Sequence, residues 1–257
     1  MINDALDIKS ALEYYILAGV DETVGDDPFN LSVEKEKKDA TLGKTVRRAT
    51  TDLAQDTVDA SKTAREICDK ANSLEELREA VDKFEGCSLK LTAANTVFGD
   101  GNKQARVMLI GEAPGAEEDR EGLPFVGRSG KLLDKMMAAI GLDRDSYYIT
   151  NILPWRPPGN RTPLISEVAV CLPFLKKQID LISPDVIFIL GGSAANSLLD
   201  NAEPISKLRG KWLEYKASNG KKIEVLASFH PAYLLRNPAQ KAKAWADLLR
   251  LSKKLVQ

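Results

Sequence analysis

Apolar residues recur along the chain with two periods, and the change of period divides it. Over residues 5–19, Ala5, Ile8, Leu12, Tyr15 and Ile16 fall on one helical stripe that stops at Gly19, which predicts a helix with one buried face. From about Val24 to Asp59 the chain turns polar and charged, with an Asp-Asp-Pro break, and a mobile linker is expected. Ser73 followed by Glu76 is a capping-box pattern, and Leu74, Leu77, Val81 and Phe84 then keep helical spacing up to Gly86, predicting a helix over about 74–85. Beyond it, short β-branched runs alternate with amphipathic stretches, the mark of β–α units around a parallel sheet. Strands are expected at 106–110, 147–150, 186–190 and 223–227. The organisation read from this pattern is a helical or linker extension over residues 1–80 and an α/β domain over 81–257.

Composition narrows the class. A chain of 257 residues can bury a sizeable core. No run approaches the ~18 consecutive apolar residues of a membrane span, and the start MINDALDIKS lacks a basic segment followed by an apolar one, so a soluble, cytoplasmic protein is expected. With 36 basic against 37 acidic residues there is no global field for nucleic acid, so any DNA-binding surface has to be local. The three cysteines, Cys68, Cys87 and Cys171, are odd in number and widely spaced, which argues against a disulfide framework or a four-thiolate metal site.

In open parallel sheets ligand groups collect at the carboxyl ends of the strands, and here four unusual loops follow the four strands. The first, GEAPGAEEDREGLPFVGRSG from Gly111 to Gly130, lets the backbone pass close to a ligand and sets carboxylates just beyond; acidic residues favouring a helix N-terminus would look the same. The second, TNILPWRPPGNRTP, opens with Asn151, whose donor and acceptor match a pyrimidine edge but equally suit bridging two backbone groups. Its stiff turn from Arg156 to Arg161 suits phosphate contact, or is an exposed loop. The third, GGSAANSLL, places Ser193 at the start of a helix, where free N–H groups bind an anion such as a DNA phosphate or the segment simply packs. The fourth, FHPAYLLRNP, holds the sole histidine, His230, at the functional edge of the sheet. Leu234 and Leu235 in that loop are either packing or a wedge for the gap left by an extruded base, and Arg236 beside them is counted among the DNA contacts.

The ordered set GEAPGAEED with PFVG, then TNILPWRPPGNRTP, then HPAYLLRNP resembles the family 4 uracil-DNA glycosylases, from about Cys87 onward. The resemblance implies a three-layer α/β/α fold around a four-stranded parallel sheet and hydrolysis of the N-glycosidic bond of uracil in DNA, leaving an abasic site. It implies that Phe125 stacks on the flipped base, Asn151 pairs with its polar edge, Glu118 near C5 obstructs thymine, His230 donates to O2, and Asn160 is a further active-site residue. Where related family 1 enzymes carry a water-positioning aspartate this chain has Ala113, so Glu112 is the candidate for that task. The thermophilic family 4 pattern carries four cysteines holding a [4Fe–4S] cluster; the aligned positions here are Phe84, Cys87, Trp155 and Cys171. No cluster and a hydrophobic plug are therefore expected, with no cofactor. A cross-linking branch inserts a basic, His-containing loop before Thr162-Pro163, and this chain does not. A monofunctional, monomeric enzyme is expected, since no lysine stands in the pocket motifs to form a Schiff base. Two other readings stay open: a DNA- or nucleotide-binding module of the same fold, and a glycosylase preferring hypoxanthine or xanthine.

Overall fold

The computed structural model describes residues 56–256, which belong to one compact unit. The helix expected over 5–19, and the linker expected over 24–59 apart from its last four residues, lie outside the described residues. Those last four, 56–59, are not linker but helical, in a helix, α1, described over 56–70. Its buried residues are Ala64 and Cys68, continued by Ala71 just past its end, side chains too small to stand out in a hydropathy pattern.

The second helix, α2 (Leu74–Lys83), starts where Ser73 accepts from the Glu76 amide at 3.1 Å. The reciprocal bond of the capping box slips by one residue, because Glu76 takes the amide of Asn72 at 2.7 Å. Leu77 and Val81 are fully buried in the same cluster as α1, so the boundary drawn near residue 80 falls inside a helix that shares the core.

Six strands form one sheet: β1 (Asp100–Gly101), β2 (Val107–Gly111), β3 (Tyr148–Asn151), β4 (Val186–Leu190), β5 (Trp212–Lys216) and β6 (Lys222–Ser228). Their order is β1-β3-β2-β4-β6-β5. The inner four are the expected parallel strands. The pattern missed the two edges, which pair antiparallel. β1 is too short to show a period. In β5 three of five residues are exposed and only Tyr215 is buried, so no alternation shows, although the Asn219-Gly220 step before β6 is a hairpin signal.

Every residue of β2 and β4 is buried, as parallel strands covered on both faces require. Met108, Ile110, Ile187, Ile189, Val225 and Ala227 point into one layer with α1, α2 and the helices α5 (Ile165–Ile182), α6 (Gly192–Leu199) and α7 (Ile205–Leu208). Val107, Leu109, Phe188, Leu190 and Leu226 point into the other, against α4 (Arg128–Ala138) and α9 (Lys241–Leu255). Each fully buried side chain of this size contributes ~1.5–3 kcal/mol relative to exposure, so the two clusters hold the sheet rigidly between helices. The connection after β2 leaves onto the α4 face, whereas those after β3 and β4 leave onto the α5 face. This divergence opens a crevice at the carboxyl end of β2, where a ligand site is expected.

Candidate active site

The crevice holds a cavity of about 380 Å³. Of the residues expected in the site, Glu112, Ala113, Glu118, Phe125, Asn151, Asn160, Arg161, His230 and Arg236 line it. Arg156, Ser193, Leu234 and Leu235 do not. Ser129, Pro157 and Ala232 also line it without having been singled out; all three lie within the loops that carry the motifs or next to His230.

Asn151 ends β3 directly opposite Gly111 on β2. The pairing continues past the strands, with Ile152 and Leu153 donating to the carbonyls of Gly111 and Glu112 at 2.9 and 3.1 Å, so the two loops leave the sheet in fixed register. The Asn151 side chain is buried, and its Oδ1 has no hydrogen-bond partner. A buried amide oxygen left unpaired costs ~1–3 kcal/mol, so it is a feature that calls for a ligand. Gly111 is what admits it: a Cβ there would run into both Asn151 Oδ1 and the Phe125 ring.

Phe125 is buried, with φ at +56°, a region that non-glycine residues avoid at ~1–2 kcal/mol. Its ring lies 5.7 Å from that of His230, tilted by 31°. Glu118 lies in the short helix α3 (Ala116–Glu121), and its two carboxylate oxygens accept the amides of Gly115 at 3.1 Å and Gly127 at 2.9 Å. It thereby ties both ends of the first loop together.

The segment after β6 is not the loop expected from its two prolines but a helix, α8 (Pro231–Arg236), capped by His230. His230 Nδ1 accepts the Ala232 amide at 3.1 Å, which assigns the proton of the neutral ring to Nε2. Burial, aided by Arg236, lowers its pKa to about 4, so the ring is neutral at physiological pH. On the other wall, burial raises the pKa of Glu112, with the Ser193 hydroxyl acting in the opposite direction. Ser193 thus neighbours the Glu112 carboxylate, which a helix-start sequence does not announce.

Helix formation also decides the two leucines. Leu234 is fully buried in a cluster with Phe229 and Ala244, so it packs rather than standing as a surface wedge. Leu235, 38% exposed, lines a groove that adjoins the cavity. The basic turn is similarly committed: Arg161 forms a two-pronged ion pair with Glu167 at 2.9 and 2.5 Å, tying the turn to the first turn of α5. Arg156 donates to Asn160 Oδ1 at 2.7 Å and sits 3.9 Å from Asp119.

Away from the cavity, Phe84, Cys87, Trp155 and Cys171 come together although they are distant in sequence. All four are buried, the Phe84 and Trp155 rings stack 6.4 Å apart, and the two sulfurs are 3.8 Å apart. Among the described residues no group of three or more histidine, cysteine, aspartate or glutamate side chains is arranged to hold a metal ion. No helix among them is long and apolar enough to cross a membrane.

Residues 98–249 match the family model described as the uracil DNA glycosylase superfamily. A type-4 uracil-DNA glycosylase of Thermotoga maritima is 44% identical over 165 residues, covering 64% of this chain and 84% of the relative. One of Archaeoglobus fulgidus is 40% identical over 183 residues, covering 70% and 92%. A type-5 uracil-DNA glycosylase of Pyrobaculum aerophilum is 28% identical over 166 residues, covering 58% and 72%. With a cavity at the carboxyl end of its parallel sheet and a family match over more than half its length, this chain belongs to the uracil-DNA glycosylase superfamily.

Proposed function

We propose that the protein hydrolyses the N-glycosidic bond of uracil flipped out of DNA and releases the base, leaving an abasic site. The observation that carries the reading is the unpaired Oδ1 of Asn151, buried beside the Phe125 ring. Uracil offers a donor at N3 and an acceptor at O4, so Asn151 accepts from one and donates to the other while Phe125 stacks on the ring. Glu118, held by two backbone amides, stands as the group that obstructs a 5-methyl substituent, and Asn160 completes the wall. Relatives named type-4 uracil-DNA glycosylases support the substrate.

As the bond from the sugar to N1 breaks, its electron pair passes to uracil and spreads to O2. The Nε2–H of His230 donates to that oxygen. Glu112 orients a water whose oxygen bonds to the sugar carbon; the water proton passes to solvent, and the departing uracil anion takes up one proton in return. Ala113 supplies no carboxylate, so leaving-group stabilisation carries more of the rate than base catalysis. For DNA contact Arg236 and Arg161 line the cavity and Leu235 the groove beside it, with Arg156 in the same turn as Arg161 and Ser193 in the first turn of α6. A monomer acting on cytoplasmic DNA is part of the same reading.

The test is to incubate the protein with uracil-containing single- and double-stranded oligonucleotides, then treat with alkali; intact strands in both would sink the reading. Glu112→Gln is expected to lower kcat with little change in DNA affinity. Because burial raises the carboxyl pKa, the wild-type acid limb should have its midpoint above 4.5, the charged and active form being lost as pH falls, and the variant should lack that limb.

A [4Fe–4S] cluster does not fit the four positions that align with its ligands. Two thiols and two aromatic rings cannot supply four thiolates, and the stacked rings of Phe84 and Trp155 fill the space instead. The reading is a family 4 relative without the cluster. Iron analysis and the visible spectrum of the purified protein should show no stoichiometric iron; one cluster per chain would contradict it.

A further inference from the structure

We infer that Arg144, which no motif singles out, is a positioning residue that sets the Phe125 ring in place for base stacking. The inference rests on the reading of Phe125 given above. Arg144 lies in the loop before β3 and does not line the cavity. Its Nη1 donates to the Pro124 carbonyl at 3.1 Å and its Nη2 to the Phe125 carbonyl at 2.5 Å. Its Nε is held by Asp134 of α4 at 2.8 Å, and Asp100 of the edge strand β1 stands 3.9 Å away.

The reason for this clamp is the conformation it holds. Phe125 has a left-handed backbone that an L residue resists, and a relaxed backbone would swing the ring out from between Asn151 and His230. One planar guanidinium anchored at Nε presents both Nη groups to two successive carbonyls, a geometry a lysine cannot copy. On the opposite side Gly130 permits the Phe125 carbonyl to turn inward: an added Cβ there would overlap that oxygen. Arg144 thus joins β1, α4 and the pocket wall, and transmits the rigidity of the sheet edge to the ring.

The experiment compares wild type, Arg144→Ala, Arg144→Lys, Phe125→Ala and the double variant Arg144→Ala/Phe125→Ala. Three quantities are read: single-turnover release of uracil from an oligonucleotide, inhibition by free uracil, and affinity for an abasic-site oligonucleotide. Both Arg144 variants should weaken uracil inhibition and slow release by about tenfold or more, as loss of ring placement implies. Abasic-site affinity should stay nearly unchanged, and Arg144→Ala should add almost nothing in the Phe125→Ala background. Full additivity, or a parallel fall in abasic-site affinity, would overturn the inference in favour of a general structural role. Should Arg144→Ala not fold, Arg144→Lys decides: wild-type inhibition by uracil in that variant refutes the clamp. A wild type that releases no uracil and is not inhibited by it refutes the functional reading, and the inference falls with it.

Discussion

Replacing His230 with alanine is expected to lower kcat for uracil release by about 10²–10³-fold, the usual consequence of removing one preorganised donor to a developing oxyanion. The donor is available because the backbone assigns the ring tautomer: the Ala232 amide occupies Nδ1, leaving Nε2–H for the leaving group. Affinity for uracil-containing DNA should change little, since the contact strengthens only as charge builds on O2. The other ring nitrogen, Nδ1, caps α8, so the variant also loses about 1 kcal/mol of stability, to be measured separately. As His230 is the sole histidine, its ring signal in an NMR titration is unambiguous. It should titrate near pH 4 rather than 6.5, because burial and Arg236 both disfavour the imidazolium. A pKa lowered in this direction keeps the ring neutral as pH falls through 6.5, and protonation near 4 then removes the acceptor for Ala232. A midpoint near 6.5, or a kcat within a few-fold of wild type, would remove His230 from the mechanism.

Asp247→Ala should destabilise the protein by about 3–5 kcal/mol, the range for breaking one side of a buried ion pair. Asp247 is 0% exposed and accepts from Ser228 Oγ at 2.8 Å and from Arg209 at 3.0 and 2.6 Å. Burial raises its pKa, with Ser228 and Arg209 opposing, so the carboxylate depends on these partners. Removing it leaves the Arg209 guanidinium without its carboxylate, with the Lys243 carbonyl as remaining acceptor and the Phe229 ring 5.4 Å away. Ser228 is the last residue of β6, two before His230, so the site should loosen along with the fold. Thermal unfolding of a domain of this size should shift down by roughly 6–20 °C. Asp247→Asn keeps the shape and one acceptor oxygen and should lose less. A chemical-denaturation difference under about 1 kcal/mol for the alanine variant would show that the network is not holding the strand end.

Local pattern carried much of this protein. The four inner strands were legible because each is an apolar run followed by a loop, and parallel strands buried on both faces have no other composition open to them. Asn151 and His230 stand out in the sequence because each follows directly on a strand, whereas Glu112, Ala113, Glu118, Phe125 and Asn160 were assigned through the resemblance; the structure brings all seven to the lining of one cavity. Partners were not legible. Nothing near Arg161 in the chain says that Glu167 will take both of its donors, nothing near Leu234 says that Phe229 and Ala244 will cover it, and no spacing brings Phe84 to Trp155. Helix α1 escaped because its buried residues are alanine and cysteine, and β5 because three of its five residues are exposed. The sequence by itself determined the four inner strands, the helix α2 and which side chains stand at the ends of those strands, since periodicity and turn chemistry act over a few residues. Only the tertiary structure decided which of those side chains have their hydrogen bonds taken by other protein groups and which, like Asn151 Oδ1, remain unpaired, because that depends on how the loops fold over the strand ends and not on residue type or spacing alone.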